Sequence, residues 1–149
     1  MKGLFKPNNP NKYKGNIKEI IYRSSWELKL MREFDSDPSV IKWGSETIIV
    51  PYRSPVDNKI HRYFVDFIVT KINKEGILET TLIEVKPSKQ RKPPKIPKKK
   101  TKNYLIESVT YAVNVAKWKA AEEFCKDRKW KFEIKDERDL NIPLWDKKK

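Results

Sequence analysis

The sequence predicts an α/β (α+β) fold, a mixed central β-sheet flanked by helices, and three observations carry that prediction. Apolar, β-branched segments at 40–52, 62–70 and 79–86 follow one another across short turns, which favours an antiparallel meander. Residues 103–127 space their apolar side chains as a helix does. Residues 130–135, WKFEIK, alternate as a final strand. With 149 residues, 38% of them hydrophobic, the chain is the size of one domain and can bury a core.

In chain order, 1–22 reads as a basic N-terminal arm with little periodicity. The first helix opens at Ser24, whose hydroxyl can accept from the amide of Glu27, and runs to about Phe34 before Asp37-Pro38 breaks it. Segment 40–52 makes one or two strands, with Gly44 offering a bend. Asp57-Asn58 turns the chain into the strand 62–70. Residues 73–76 turn it again into 79–86. From 86 to 102 the four prolines Pro87, Pro93, Pro94 and Pro97 bar helix and central strand, leaving an extended insertion. On the long helix Leu105, Val109, Ala112, Ala116, Ala120 and Phe124 share one stripe. This divides the chain into the arm 1–22, a single domain at 23–136 carrying the insertion 86–102, and a basic C-terminal tail at 137–149.

The net charge of +14 is unevenly spread. Residues 1–18 hold five Lys and no acid, and 86–102 hold eight Lys and one Arg, again with no acid. The chain closes on Lys147, Lys148 and Lys149, which serve equally well as a solubilising tail. Such blocks release counterions on meeting a polyanion, so nucleic acid is the expected partner. The candidate contacts in the insertion are Lys89, Arg91, Lys92, Lys95, Lys98, Lys99, Lys100 and Lys102. No amphipathic basic helix points to a membrane surface, no apolar run approaches the roughly 18 residues of a span, and MKGLFKPNNP lacks a secretory stretch. One cysteine and one histidine exclude a disulfide framework and a Cys- or His-based zinc cluster.

The informative residues are acids at positions where apolar residues belong. Read as one strand, 64–70 puts Phe64, Asp66, Ile68 and Thr70 on a single face. Along 82–86, Leu82, Glu84 and Lys86 share one face, with Ile83 and Val85 on the other. On the first helix, Glu27 joins Leu30, Met31 and Phe34 on the apolar stripe. Burying several carboxylates together is costly unless a divalent cation joins them, and all-oxygen ligation suits magnesium or manganese. Lys86 would stand about 6.6 Å along the strand from Glu84, placed to stabilise a reacting phosphate.

The acid-x-Lys spacing is weak by itself, since it also occurs at Glu27, Asp57, Asp127, Glu133 and Asp146. Glu133-Ile134-Lys135, also set in a strand-like run, is the decoy. Each site residue has a plain structural alternative. Ser24 and Glu27 spell a capping box, Asp66 could be satisfied by backbone amides, and Glu84–Lys86 could be an ion pair on an edge strand.

At Tyr22-Arg23-Ser24-Ser25-Trp26-Glu27, at His61-Arg62-Tyr63-Phe64-Val65-Asp66-Phe67 and at Ile83-Glu84-Val85-Lys86-Pro87 the chain resembles the PD-(D/E)xK, restriction-endonuclease-like nucleases. More narrowly it is similar to the head-completion nuclease family of contractile-tailed phages, with kinship to transposon-end-cleaving nuclease subunits. The resemblance runs from about residue 5 to 136. It implies a mixed sheet flanked by helices and Mg2+-dependent hydrolysis of double-stranded DNA by in-line attack of water, with Mn2+ able to substitute. Glu27 matches the first-helix carboxylate, Asp66 the acid of the PD motif, and Glu84 and Lys86 the last motif, with the carbonyl of Val85 a further ligand. Val65 stands where the signature has Pro. The same resemblance implies a nuclease, an endonuclease in preference to an exonuclease, working with phage head-assembly proteins in the host cytoplasm or on the virion. Little sequence specificity is expected, because flexible lysines contact phosphates without reading bases. The alternative is a non-catalytic DNA-binding or virion structural protein on the same fold. Asn114 and Lys117 on the long helix could face the phosphate, but a solvated face is favoured. Trp26, Trp43 and Trp118 are expected in the core, Cys125 packs as a small apolar residue, and His61 is a poor general base because the family's water is metal-activated.

Overall fold

The computed structural model describes residues 1–141. Two helices, α1 (Ser25–Ser36) and α2 (Lys102–Arg128), pack against strands β1 (Gly3–Leu4), β2 (Ile21–Tyr22), β3 (Val40–Ser45), β4 (Ile49–Arg53), β5 (Ile60–Phe64), β6 (Phe67–Ile72), β7 (Leu78–Val85) and β8 (Lys131–Lys135). The main sheet runs β3-β6-β7-β8. Its first three strands are antiparallel, and β8, returning after α2, lies parallel to β7. The α/β (α+β) expectation of a mixed sheet flanked by helices therefore holds.

Strand alternation sorts the two layers. Ile83 and Val85 of β7 join Trp26, Leu30, Met31 and Phe34 of α1 in one core. Leu82 joins Ala121 and Cys125 of α2 in the other. Trp43 anchors the first core, with edge-on contacts from Phe5 and Tyr13 and tilted ones from Phe34 and Phe67. The indole N–H groups of Trp26 and Trp43 are buried without an acceptor among the described residues, a cost of about 1–3 kcal/mol each that the surrounding aromatic packing must exceed. Trp118 and Cys125 are buried as expected.

Several expectations are corrected. The segment 62–70 is not one strand: it breaks at Val65-Asp66, where the chain leaves β5 and enters β6 in a different sheet. Consequently 40–52 and 62–70 do not form a simple meander, because β4 and β5 pair only with each other, as a two-stranded ribbon inserted between β3 and β6. Phe64, expected inside beside Asp66, is 46% exposed on the ribbon's outer side. Strand parity could not foresee this, since it holds only while the chain stays in one sheet.

The basic N-terminal arm at 1–22 is folded onto the domain. Strand β1 pairs with β2, and Phe5, Tyr13 and Ile20 are buried in the first core. Asn8 and Asn9 donate their amides to the carboxylate of Asp35 at 2.8 and 2.9 Å. Lys12 donates to the carbonyls of Asp35 and Asp37 at the end of α1, so this lysine serves the helix C-terminus. The proposed tail at 137–149 also starts too early, because Glu137 and Leu140 are buried. Residues 142–149, with the Lys147–Lys149 triplet, lie outside the described residues.

On α2 the buried stripe is Asn114, Trp118, Ala121 and Cys125, rotated from the one expected. Leu105 and Val109 are 55% and 51% exposed.

Candidate active site

The break that ends β5 also aims Asp66. At that bend the Asp66 carbonyl accepts from the amide of Glu46, and the Val65 amide donates to Ile48. The Asp66 carboxylate turns to β7, where its Oδ2 accepts from the Val85 amide at 2.8 Å. Asp66 is thus set against the residue between Glu84 and Lys86. The alternative in which backbone amides satisfy Asp66 is realised in part, and the same bond fixes the acid beside Glu84.

Glu84 is buried near the end of β7. Its Oε1 accepts from the Tyr63 hydroxyl at 2.5 Å, and its Oε2 lies 3.3 Å from Nζ of Lys86. The Lys86 side chain is only 17% exposed, so this pair is no surface ion pair on an edge strand. Strand β7 lies between β6 and β8, and the Lys86 amide prolongs the pairing by donating to the Lys135 carbonyl.

Glu27 is buried on α1, as its stripe implied. Ser24 Oγ accepts from the Glu27 amide at 3.2 Å, and the Glu27 carboxylate returns to Ser24 Oγ at 3.2 Å and to the Arg23 amide at 3.4 Å. Ser24 thus caps α1, with the Glu27 carboxylate reaching the Ser24 hydroxyl and the amide one residue before it in place of the Ser24 amide of a regular capping box. Arg23, paired chiefly with Glu46 at 3.0 Å, also feels the negative charges of Glu27 and Asp66, and all of these hold its guanidinium protonated.

Two residues at the site were passed over or misjudged at the sequence level. Tyr63 is buried on the inner side of the β4–β5 ribbon. Burial first, and then the charge of Glu84, push its phenol well above the ordinary tyrosine value, so it remains a donor. Lys117, expected on a solvated face, sets its Nζ 5.7 Å from the ring centre of Tyr52 and 5.5 Å from that of Tyr63. Asn114, one turn away, is buried too. Burial alternates along β4, where Val50 and Tyr52 face inward, but on β5 Tyr63 alone is buried, and IHRYF carries no alternation that would have marked it in the sequence.

The family profile described as TnsA-like endonuclease N terminal matches residues 37–137, which include Asp66, Glu84, Lys86 and all of α2. The chain belongs to this family. It is also 38% identical over 142 residues to a protein named head completion nuclease from Enterobacteria phage T4, with 93% of this chain and 92% of that protein covered. No solved structure matches the chain. Glu27 precedes the part matched by the endonuclease profile.

Endonucleases of this kind imply a divalent metal, and the donors fit it in kind. Asp66 and Glu84 offer hard carboxylate oxygens, and magnesium takes one or two such groups with water completing its shell. The expected set of three is not gathered: among the described residues no group of three or more His, Cys, Asp or Glu is placed to hold a metal ion. The carboxylate of Glu27 is engaged by its cap.

The proposed DNA contacts separate into two kinds. Lys89, Lys92, Lys95, Lys98, Lys99, Lys100 and Lys102 are exposed. Arg91 is not free for a phosphate, because its Nη1 donates to the buried Asp136 at 2.7 Å. Beside it, the Ser88 amide donates to the buried Glu137 at 2.9 Å, tying the start of the insertion to the turn after β8. The decoy Glu133 pairs with Lys135 at 3.5 Å and, in register with Ile83, lies on the α1 side of the sheet. Glu84 lies on the α2 side with Leu82.

Proposed function

We propose that this chain hydrolyses phosphodiester bonds of double-stranded DNA as an endonuclease of little sequence specificity, using Mg2+ that Mn2+ can replace. What carries the reading is the Asp66–Val85 bond, which brings the acid at the bend before β6 beside Glu84 and Lys86 in a chain of the TnsA-like endonuclease family. A divalent ion bound there supplies Lewis acidity and a water of lowered pKa. Asp66 and Glu84 would hold it, with Glu27 available once its carboxylate leaves the cap. The Lys86 ammonium, held by Glu84, balances charge that develops on the attacked phosphate. The exposed lysines of 86–102 track the DNA backbone and position the duplex without reading it. Since the similar T4 protein is named a head completion nuclease, we place the activity in phage head completion, in the host cytoplasm or on the virion, alongside other head-assembly proteins. Among the described residues no helix is long and apolar enough to cross a membrane.

The test is cleavage of linear and supercoiled DNA with Mg2+ or Mn2+, comparing the parent with Glu84→Ala while DNA binding is followed in parallel. The reading requires a parent that cuts and a variant that binds without cutting. Linearised or nicked circles mark an endonuclease. Tight binding by both proteins with no cleavage by either would favour the non-catalytic DNA-binding alternative.

A further inference from the structure

Glu84 presents two oxygens to two different partners. Oε1 takes the Tyr63 hydroxyl, and Oε2 faces Lys86. The last torsion of a glutamate is broad and roughly two-fold, so nothing in the side chain itself decides which oxygen points where. A donor fixed from outside does decide it. Tyr63 is such a donor: it is 4% exposed, and its neighbours Val50, Tyr52, Val65 and Leu82 lie in one core with it. Lys117 from α2 covers its ring.

We propose that Tyr63 is a positioning residue that fixes the Glu84 carboxylate, holding Oε1 so that Oε2 is presented to Lys86 and to the divalent ion. The proposal rests on the nuclease reading above and adds a residue to it. It also gives the inserted ribbon a task, because β5 delivers Tyr63 three residues before Asp66, at the bend into the main sheet. The group that orients one acid and the acid beside it thus come from a single continuous stretch.

The decisive variant is Tyr63→Phe, which keeps the ring that packs and that Lys117 covers, and removes only the hydroxyl. Binding of Mn2+ and of Ca2+ would be measured by titration calorimetry, with metal-free DNA binding and thermal unfolding in parallel. Partners that orient a metal ligand typically contribute 10–100-fold, so metal affinity is expected to fall about tenfold or more. Metal-free DNA affinity should stay unchanged, and in cleavage the half-saturating metal concentration should rise more than the maximal rate falls. A merely structural tyrosine would lower the melting temperature and leave metal affinity alone, and that outcome overturns the proposal. The same titration in Glu84→Ala and in the double variant closes a cycle. Tyr63→Phe should change nothing once Glu84 is gone, and an undiminished effect there would show that Tyr63 does not act through Glu84. If Glu84→Ala itself leaves metal binding intact, the site assignment fails, a result distinct from failure of the Tyr63 proposal alone.

Discussion

Asp136 and Glu84 are both buried acids at strand ends, and their partners make them opposites. Asp136, fully buried just after β8, takes Arg91 and Arg138 at 2.7 Å each, with the Arg138 amide at 3.0 Å. Hydrogen bonds from Arg138 first, then from Arg91, hold its carboxyl far below the usual aspartate range despite the cost of burial. That carboxylate is saturated by cations already in the chain. Glu84 receives a neutral phenol and one ammonium, so its neighbourhood still accommodates an added cation. Burial alone therefore does not mark a catalytic acid. What marks one is the charge its own chain leaves unsupplied.

The largest expected effect tests the Glu84 side. Glu84→Ala should lower metal-dependent cleavage about 100-fold or more while DNA binding persists, as read by product formation and by a binding titration. Asp136→Asn should leave cleavage by the folded protein intact and lower stability by about 2 kcal/mol, measured by urea unfolding at neutral pH. The pH dependence follows from the sign of the shift. The folded carboxyl is more acidic than the unfolded value of 3.8, so the unfolded chain binds more protons in that range. Its contribution is complete above that value and is lost as the pH falls below it. The parent should accordingly lose stability more steeply than Asp136→Asn on acidification.

Glu27→Gln is the next step down. Glutamine keeps an acceptor oxygen for the contacts at the start of α1, so the melting temperature should hold while cleavage falls about tenfold. Unchanged cleavage would make Glu27 a cap residue alone. The two halves of the basic segment should separate under salt. Replacing Lys98, Lys99 and Lys100 with Ala should reduce the slope of log affinity against log salt by up to about 0.9 per lost contact. Arg91→Ala should lower stability with little change in that slope. Glu133→Ala should be nearly silent in cleavage, within about twofold.

How much of this was legible depended on the range over which each signal acts. Local signals read well. Ser24 as the cap of α1, the breaker at Asp37-Pro38, and the prolines that keep 92–101 out of helix and sheet follow from chemistry within a few residues, whereas the short 3-10 helix at Ser88–Arg91 departs from the extended insertion expected. The carboxylates at 27, 66 and 84 stood out because each interrupts an apolar pattern. Tyr63 did not stand out, since a tyrosine fits a strand without remark and its meaning lies in a glutamate 21 residues away. Arg91 could not be told from its lysine neighbours, because Asp136, which claims it, is 45 residues distant.

The sequence by itself determined the helices, most of the strand segments, the excess of positive charge and the identity of the acids. Only the tertiary structure decided that 62–70 is divided between two sheets, that the N-terminal segment is part of the core, and that one basic residue of the insertion is an anchor. The reason is physical. Periodicity reports which side chains share a face of one regular element, while the choice of sheet, the direction of a carboxylate at a bend and the partner of a buried charge depend on groups that only folding brings together.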